Sequence, residues 1–310
     1  MMRFKHKWNP MIDPEIDLYS LHLLRLVAKF RGFTAASKAC GLSQSALTRQ
    51  VQSIEARLGI KVFERTTRTV TITEPGAVLL RETEAIPNIL NGALRRIRED
   101  YLGTQREIRI GISPDLSLAH IPGIFHAQRK FQPEVKVIVS QPDESSLLDQ
   151  VGNSNLDLGI LTRPREIPRN VNVTHGMEDQ FSIILAKTEA ENVPRGTLAQ
   201  FRKWASSKSW LLPPERSRSR QLIDDWAFDH QVQIQPIMEL ENFDLMIQLA
   251  SLGMGVAFVP RRSLSSFPRK RLVEMIPPPV ELSRELIVIS PQHSKCPEHV
   301  SRFVEAILFS

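Results

Sequence analysis

Between Thr34 and Leu58 the chain reads TAASKACGLSQSALTRQVQSIEARL, and this stretch constrains the fold more tightly than any other. Ala35, Ala36 and Ala39 favour helix, and Gly41 then breaks the segment because glycine tolerates the positive φ of a tight turn. Leu42 follows as a turn residue to be buried between two helices. Ser43 is placed to cap a second helix, its hydroxyl accepting from an otherwise unpaired amide. From there Ala46, Leu47, Val51, Ile54 and Leu58 recur at helical spacing and mark one buried face. Gln44, Ser45, Thr48, Arg49 and Gln52 remain on the other, joined by Ser43 itself and by Thr34 at the start of the preceding helix. Amide, hydroxyl and guanidinium groups near a helix N-terminus are the set that reads base edges and phosphates in a major groove. Two short helices around a glycine turn, the second bearing such a face, read as a helix-turn-helix. The competing reading is a helical hairpin whose polar face is merely solvated.

Charge favours the first reading. The 310 residues carry a net charge of +6. Residues 1–73 hold 12 Lys+Arg against 5 Asp+Glu, a balance of +7, whereas the remainder holds 28 against 29. All of the excess lies on the segment with the helical pair, as phosphate binding requires and general solubility does not.

The segment FTAASKACGLSQSALTRQVQSIEARLGIKVFER resembles the DNA-binding part of the LysR-type transcriptional regulators. The matching positions are Phe33-Thr34, Ala36, Ser43-Gln44, Ala46-Leu47, Arg49-Gln50, Glu55, Leu58-Gly59 and Phe63-Glu64-Arg65. Ser37 replaces a second alanine, Cys40 stands where leucine is usual, and Ser45 where proline is common; none of these breaks the motif.

Ahead of the pair, Leu18, Leu21, Leu24, Val27 and Ala28 predict a first helix ending near Gly32, and Phe33 plugs its junction with the hairpin. After Gly59, Val62-Phe63 and Val70-Thr71-Ile72 flank a polar tip, a two-stranded wing that sets Arg65 and Arg68 against backbone phosphates. Thr73 is the expected N-cap of a long helix with Pro75 in its first turn. Ile86, Ile89-Leu90, Ala93-Leu94 and Ile97 give that helix a stripe too apolar to stay exposed. In the family resembled, linker helices pair between subunits, which implies a homodimer through residues 77–97 and a homotetramer by pairing of effector domains. Pro87 is expected to kink or break the rod near Thr83. Leu102-Gly103-Thr104 reads as a hinge.

Beyond it, short strands alternate with helices. Strands are expected at Ile108–Ile112, Val135–Val139 and Leu158–Leu161, with helices at Leu116–Phe131 and Leu147–Val151 between them. A second set has strands Ile183–Ala186, Trp210–Leu212, Ile234–Met238 and Gly255–Val259, with helices near Leu198–Ala205, Arg220–Phe228 and Asn242–Leu252. Leu286–Ser290 and His299–Leu308 then return to the first lobe. Such alternation implies parallel sheet. Leu156-Asp157-Leu158-Gly159-Ile160 and Leu252-Gly253-Met254-Gly255-Val256-Ala257-Phe258-Val259-Pro260 resemble the family's effector domain, itself similar to periplasmic solute-binding proteins.

The organisation expected is a leader over 1–16, a winged helix-turn-helix over 17–73, a linker and dimerisation helix over 74–102, and a two-lobed α/β effector domain over 103–310. The leader is basic but lacks an apolar core, so it is not read as a signal peptide, and no apolar run of membrane-spanning length occurs. Two cysteines, Cys40 and Cys296, suggest no disulfide framework and fit a reducing cytoplasm. His293, Cys296 and His299 lack the closed ligand set of a structural zinc, so no metal and no cofactor are expected. Gly-x-Ser-x-Gly, P-loop, Gly-x-Gly-x-x-Gly and His-Glu-x-x-His signatures are all missing, which argues against an enzyme. The carboxylate pairs Glu99-Asp100 and Asp224-Asp225 are read as solvated.

The resemblance implies a regulator that binds double-stranded DNA at an interrupted inverted repeat, contacts RNA polymerase and senses a small molecule. Ligands of two-lobed α/β domains settle between the lobes, beyond the carboxyl ends of parallel strands and against helix N-termini. Ser113, Pro114, Gln141, Ser145 and Thr162 meet that description from the first lobe, and Pro213, Ser217, Asn242 and Phe243 from the second. Helix amides with Arg163, Arg216 and Arg218 favour a small carboxylate, against which Asp115 and Glu215 pull.

Overall fold

The computed structural model describes residues 16–65, 70–194, 196–292 and 296–308. They form two compact units, divided between Leu90 and Asn91. Among them no helix is long and apolar enough to cross a membrane.

The first unit opens with helix α1 (Leu18–Phe30), capped by the Asp17 carboxylate on the Ser20 amide. Leu21, Leu23, Leu24 and Val27 are buried along one face, but Leu18, expected in that stripe, is exposed. Helix α2 (Phe33–Cys40) ends at Gly41 with φ of 70°, and α3 (Gln44–Leu58) ends at Gly59 with φ of 67°. Both turns need the left-handed conformation that glycine adopts without strain. Phe33 is buried edge-on against Phe63, and Leu47, Val51 and Ile54 of α3 close the same core. Strands β1 (Phe63–Arg65) and β2 (Val70–Ile72) pair antiparallel as the wing.

Thr73 caps α4 (Glu74–Glu82), its hydroxyl accepting from the Gly76 amide. The single long helix expected here is instead two. A turn at residues 83–85 separates α4 from α5 (Ile86–Tyr101), as the proline rule demands. Pro87 is the second residue of α5, where no helical partner for its missing N–H is lost. Arg25 clamps the broken end, its guanidinium donating to the Leu80 and Glu84 carbonyls and the Thr83 hydroxyl. On α5, Ile86, Leu90, Leu94 and Ile97 are exposed.

The second unit is built on a nine-stranded sheet. Its first lobe comprises β3 (Glu107–Ile112), α6 (Ser117–Phe131), β4 (Lys136–Ser140), α7 (Glu144–Gly152) and β5 (Leu158–Thr162), with β4 and β5 parallel to β3. Strand β6 (Val171–Ala186) then crosses to a second lobe of α8 (Leu198–Ser206), β7 (Trp210–Leu212), α9 (Arg218–Asp229), β8 (Pro236–Glu239), α10 (Phe243–Ser251), β9 (Val256–Pro260) and β10 (Val273–Ile276). Strand β11 (Ser283–Pro291) returns between β5 and β6, and α11 (Glu298–Leu308) buries Val300 and Phe303 in the first lobe.

The parallel sheet expected from the alternation is found among β3, β4 and β5 and among β7, β8 and β9, but it does not extend to β6, β10 and β11. β7 is parallel to β8 and β9, but β11 runs antiparallel to β5 and β6, and β6 antiparallel to β9 and β10. Only the last quarter of β6 was legible, because VNVTHGMEDQFS lacks an apolar run or a clean alternation. β10 was not anticipated either. The second-lobe core is aromatic: Trp210 stacks on Phe258 at 5.0 Å, and Trp226 meets Phe258 and Phe201 edge-on.

Candidate nucleic-acid interface and effector cleft

The Ser43 hydroxyl accepts from the Ala46 amide at 3.1 Å and starts α3 where the sequence requires. Gln44, Ser45, Arg49 and Gln52 are exposed along its first turns, with Thr48 half-buried beside them. Thr34 donates to the Gln44 side-chain carbonyl at 3.0 Å, tying the start of α2 to that of α3. Ser43 and Ser45 share a hydroxyl contact of 3.1 Å. Arg49 and Gln52 make no hydrogen bond or ion pair with a described residue, so their donors are available to an outside partner. Arg65 ends β1, while its side chain and the whole of Arg68 lie outside the described residues.

Glu55 holds this face in place, a role that sequence reasoning missed. It is buried on α3, and one carboxylate oxygen accepts from the Val62 and Phe63 amides at 2.9 and 3.1 Å. Lys61 approaches the other oxygen at 3.3 Å. The back of α3 is thereby fastened to the strand that begins the wing. The signals in the sequence are a carboxylate adjoining the apolar stripe and its place among the matching motif positions.

In the second unit a cleft of about 430 Å³ opens between the lobes. Ser113, Pro114, Ser145 and Thr162 line it from the first lobe and Ser217 from the second, as anticipated. The other four candidates are not brought to it. Gln141 is exposed on the loop before α7, and Pro213 is buried with its carbonyl accepting from Arg220. Asn242 caps α10 on the Leu245 amide, and Phe243 is buried in the second-lobe core. Each obeys the strand-end rule, but helix starts also consume polar groups as caps and apolar ones as packing.

The charges differ from expectation as well. Arg163 pairs with Glu285, and Arg216 pairs with Glu241 at 2.6 Å. Asp143, Glu144 and Glu241 join Asp115 on the cleft wall, whereas Glu215 does not line it. Asp143 caps α7 by accepting from the Ser146 amide and the Ser145 hydroxyl, which hold its carboxyl below the usual carboxylate range. Burial, and then the charge of Asp115, push the Glu144 carboxyl up, with Arg218 opposing.

Beneath the cleft lies Arg284, on β11, with its side chain 1% exposed. Its guanidinium donates to Asp179 at 3.0 and 3.1 Å, to Asp115 at 2.7 Å and to the Ser219 hydroxyl at 3.1 Å. The rings of Phe181 and Phe243 flank it at 5.6 and 5.2 Å. Asp115 and the neighbouring Thr162 come from the first lobe, Ser219 and Phe243 from the second, so one buried cation ties both together.

Comparison with known proteins now bears on this arrangement. Residues 18–77 match the family model of the bacterial regulatory helix-turn-helix protein, lysR family, and residues 102–308 match that of the LysR substrate binding domain. The chain belongs to the LysR family of transcriptional regulators. It is 22% identical over 285 residues to a probable RuBisCO transcriptional regulator of Thalassiosira pseudonana, covering 88% of this chain and 91% of that one. It is 26% identical over 256 residues to the HTH-type transcriptional activator IlvY of Salmonella typhimurium, covering 82% and 85%. In fold it is similar to full-length CbnR complexed with its target DNA, at a TM-score of 0.63 and 17% identity, covering 95% and 99%. Full-length BenM is a further structural neighbour, at a TM-score of 0.52 and 18% identity, covering 95% and 96%.

This LysR-type regulator thus couples a DNA-binding helix-turn-helix to an effector-binding domain. Its carboxylate pairs have structural partners. Asp224 pairs with Arg220 and Asp225 with Arg165. Glu99, expected to be solvated, is buried instead, accepting from the Glu107 amide beside Arg95. Cys40 and Cys296 are both half-buried against apolar clusters.

Proposed function

We propose that this regulator reads DNA through Gln44, Ser45, Thr48 and Arg49, with Thr34, Ser43 and Gln52 supporting them and Arg65 and Arg68 on phosphates. The observation that carries it is the uncommitted Arg49 side chain, exposed on the first turns of a capped helix in a unit with excess positive charge. Arg49→Ala should cost about 1–3 kcal/mol on the operator and relax sequence preference. Arg68→Ala should weaken every DNA alike and lower the salt slope by about one. Titration of both variants against operator and scrambled duplexes separates the roles. Equal losses on both duplexes for Arg49→Ala would remove it from base reading.

Residues 17–73 are assigned to DNA binding, 74–102 to the linker and 103–310 to effector binding, within a cytoplasmic protein that contacts RNA polymerase. The exposed Ile86, Leu90, Leu94 and Ile97 support pairing of α5 between two copies, matched to an interrupted inverted repeat, with tetramers formed through effector domains. Leu90→Glu with Leu94→Glu should shift the full chain toward monomer in sedimentation at tens of micromolar. An unchanged dimer would place the interface elsewhere.

The effector is assigned to the cleft around Ser113, Ser145, Thr162 and Ser217. All four hydroxyls stand at helix starts or strand ends facing a common space, a concave site of small-molecule size.

A further inference from the structure

We infer that the cleft is built for a small zwitterion, a molecule bearing one ammonium and one carboxylate such as an α-amino acid, rather than for a simple carboxylate. The inference rests on the cleft being the effector site.

Four carboxylates and two guanidiniums line the cleft. Most already have partners: Asp115 is held by Arg284 and by the Ser113 and Ser219 hydroxyls, and Glu241 by Arg216. Asp143 caps α7. Two charges are left. Glu144, the first residue of α7, makes no hydrogen bond or ion pair with a described residue. Arg218, the first residue of α9, donates through Nε to the Arg163 carbonyl and through Nη1 to Gln221, leaving Nη2 uncommitted; its charge acts on Glu144, but the two make no ion pair. Glu144 belongs to the first lobe and Arg218 to the second.

An ammonium would compensate Glu144, which is half-buried and has no cation in direct contact, and a carboxylate would take the free Arg218 donor. The wall supplies five hydroxyls but no aliphatic or aromatic side chain beyond Pro114 and Pro214, so the ligand is small and polar. A dicarboxylate would add two negative charges where carboxylates already outnumber guanidiniums. A neutral sugar would leave both unpaired charges desolvated and uncompensated. A zwitterion satisfies both, and it would bridge the lobes through one group on each.

The test uses the full chain and thermal melting followed by calorimetry. The probes are the common L-α-amino acids, their desamino carboxylates, their carboxamides, succinate and glucose. At least one amino acid should bind, and loss of its amine should weaken it roughly tenfold or more, the scale of one lost charge-assisted contact. In Glu144→Gln the distinction between the amino acid and its desamino form should vanish. In Arg218→Gln the distinction between acid and carboxamide should vanish. Melting without probe establishes that each variant folds. Binding of succinate or glucose in preference to every amino acid, or binding of no probe, overturns the inference. So does an amino acid whose preference for the amine survives Glu144→Gln. In that case Ser113→Ala and Thr162→Ala distinguish the failures. If they weaken the ligand, the cleft stands and only the zwitterion falls; if they do not, the cleft itself is the wrong site.

Discussion

Glu55 in the first unit and Arg284 in the second are both enclosed charges, and they are satisfied from opposite distances. Glu55 takes backbone amides seven and eight residues along the chain. Arg284 takes carboxylates 105 and 169 residues before it and a hydroxyl 65 residues away. The partners also differ in kind. Backbone amides are neutral, and the one cation paired with Glu55 among the described residues is the exposed Lys61. Arg284 is balanced by two carboxylates that would themselves be uncompensated without it. Local satisfaction stiffens one supersecondary unit; distant satisfaction ties the already paired β6 and β11 to the turn after β3 and the start of α9.

The sharpest way to break this contrast is Arg284→Ala. It leaves Asp179 buried and unpaired and removes the cation from Asp115, which should cost about 3–5 kcal/mol in chemical denaturation. Combining Arg284→Met with Asp179→Leu and Asp115→Asn removes the charges together and should recover much of that loss. If the single substitution costs no more than an exposed one, the hub does not hold the lobes. Glu55→Ala should have a smaller effect, about 1–3 kcal/mol, because only two buried amides lose their acceptor. The loss should appear in the first unit alone, as faster hydrogen exchange at the Val62 and Phe63 amides. Exchange unchanged at those two positions would detach Glu55 from the wing.

The contrast in distance also governs what could be read beforehand. Ser43 and Thr73 announce their helices because a cap lies three residues from the amide it serves. Pro87 likewise foretold a break, since its effect is confined to one turn. Five of nine candidate cleft residues reach the cleft, because strand ends and helix starts can be located approximately from pattern. The strand-end rule does not say which of them face inward. Phe243, for example, follows its cap and turns into the core beside Arg284.

By itself the sequence determined the helix-turn-helix, the wing, the alternating lobes and the excess of positive charge on the first 73 residues. All of these depend on periodicity, caps, glycine turns and composition, which act over a few residues or need no geometry at all. Only the tertiary structure decided that β6 and β11 run antiparallel through both lobes and that Arg284 sits beneath the cleft. Tertiary structure also decided that Glu144 and Arg218 are the charges left over. Which charge meets which depends on pairings across a hundred or more residues. A linear pattern carries no information on such pairings until the sheet brings its strands into register.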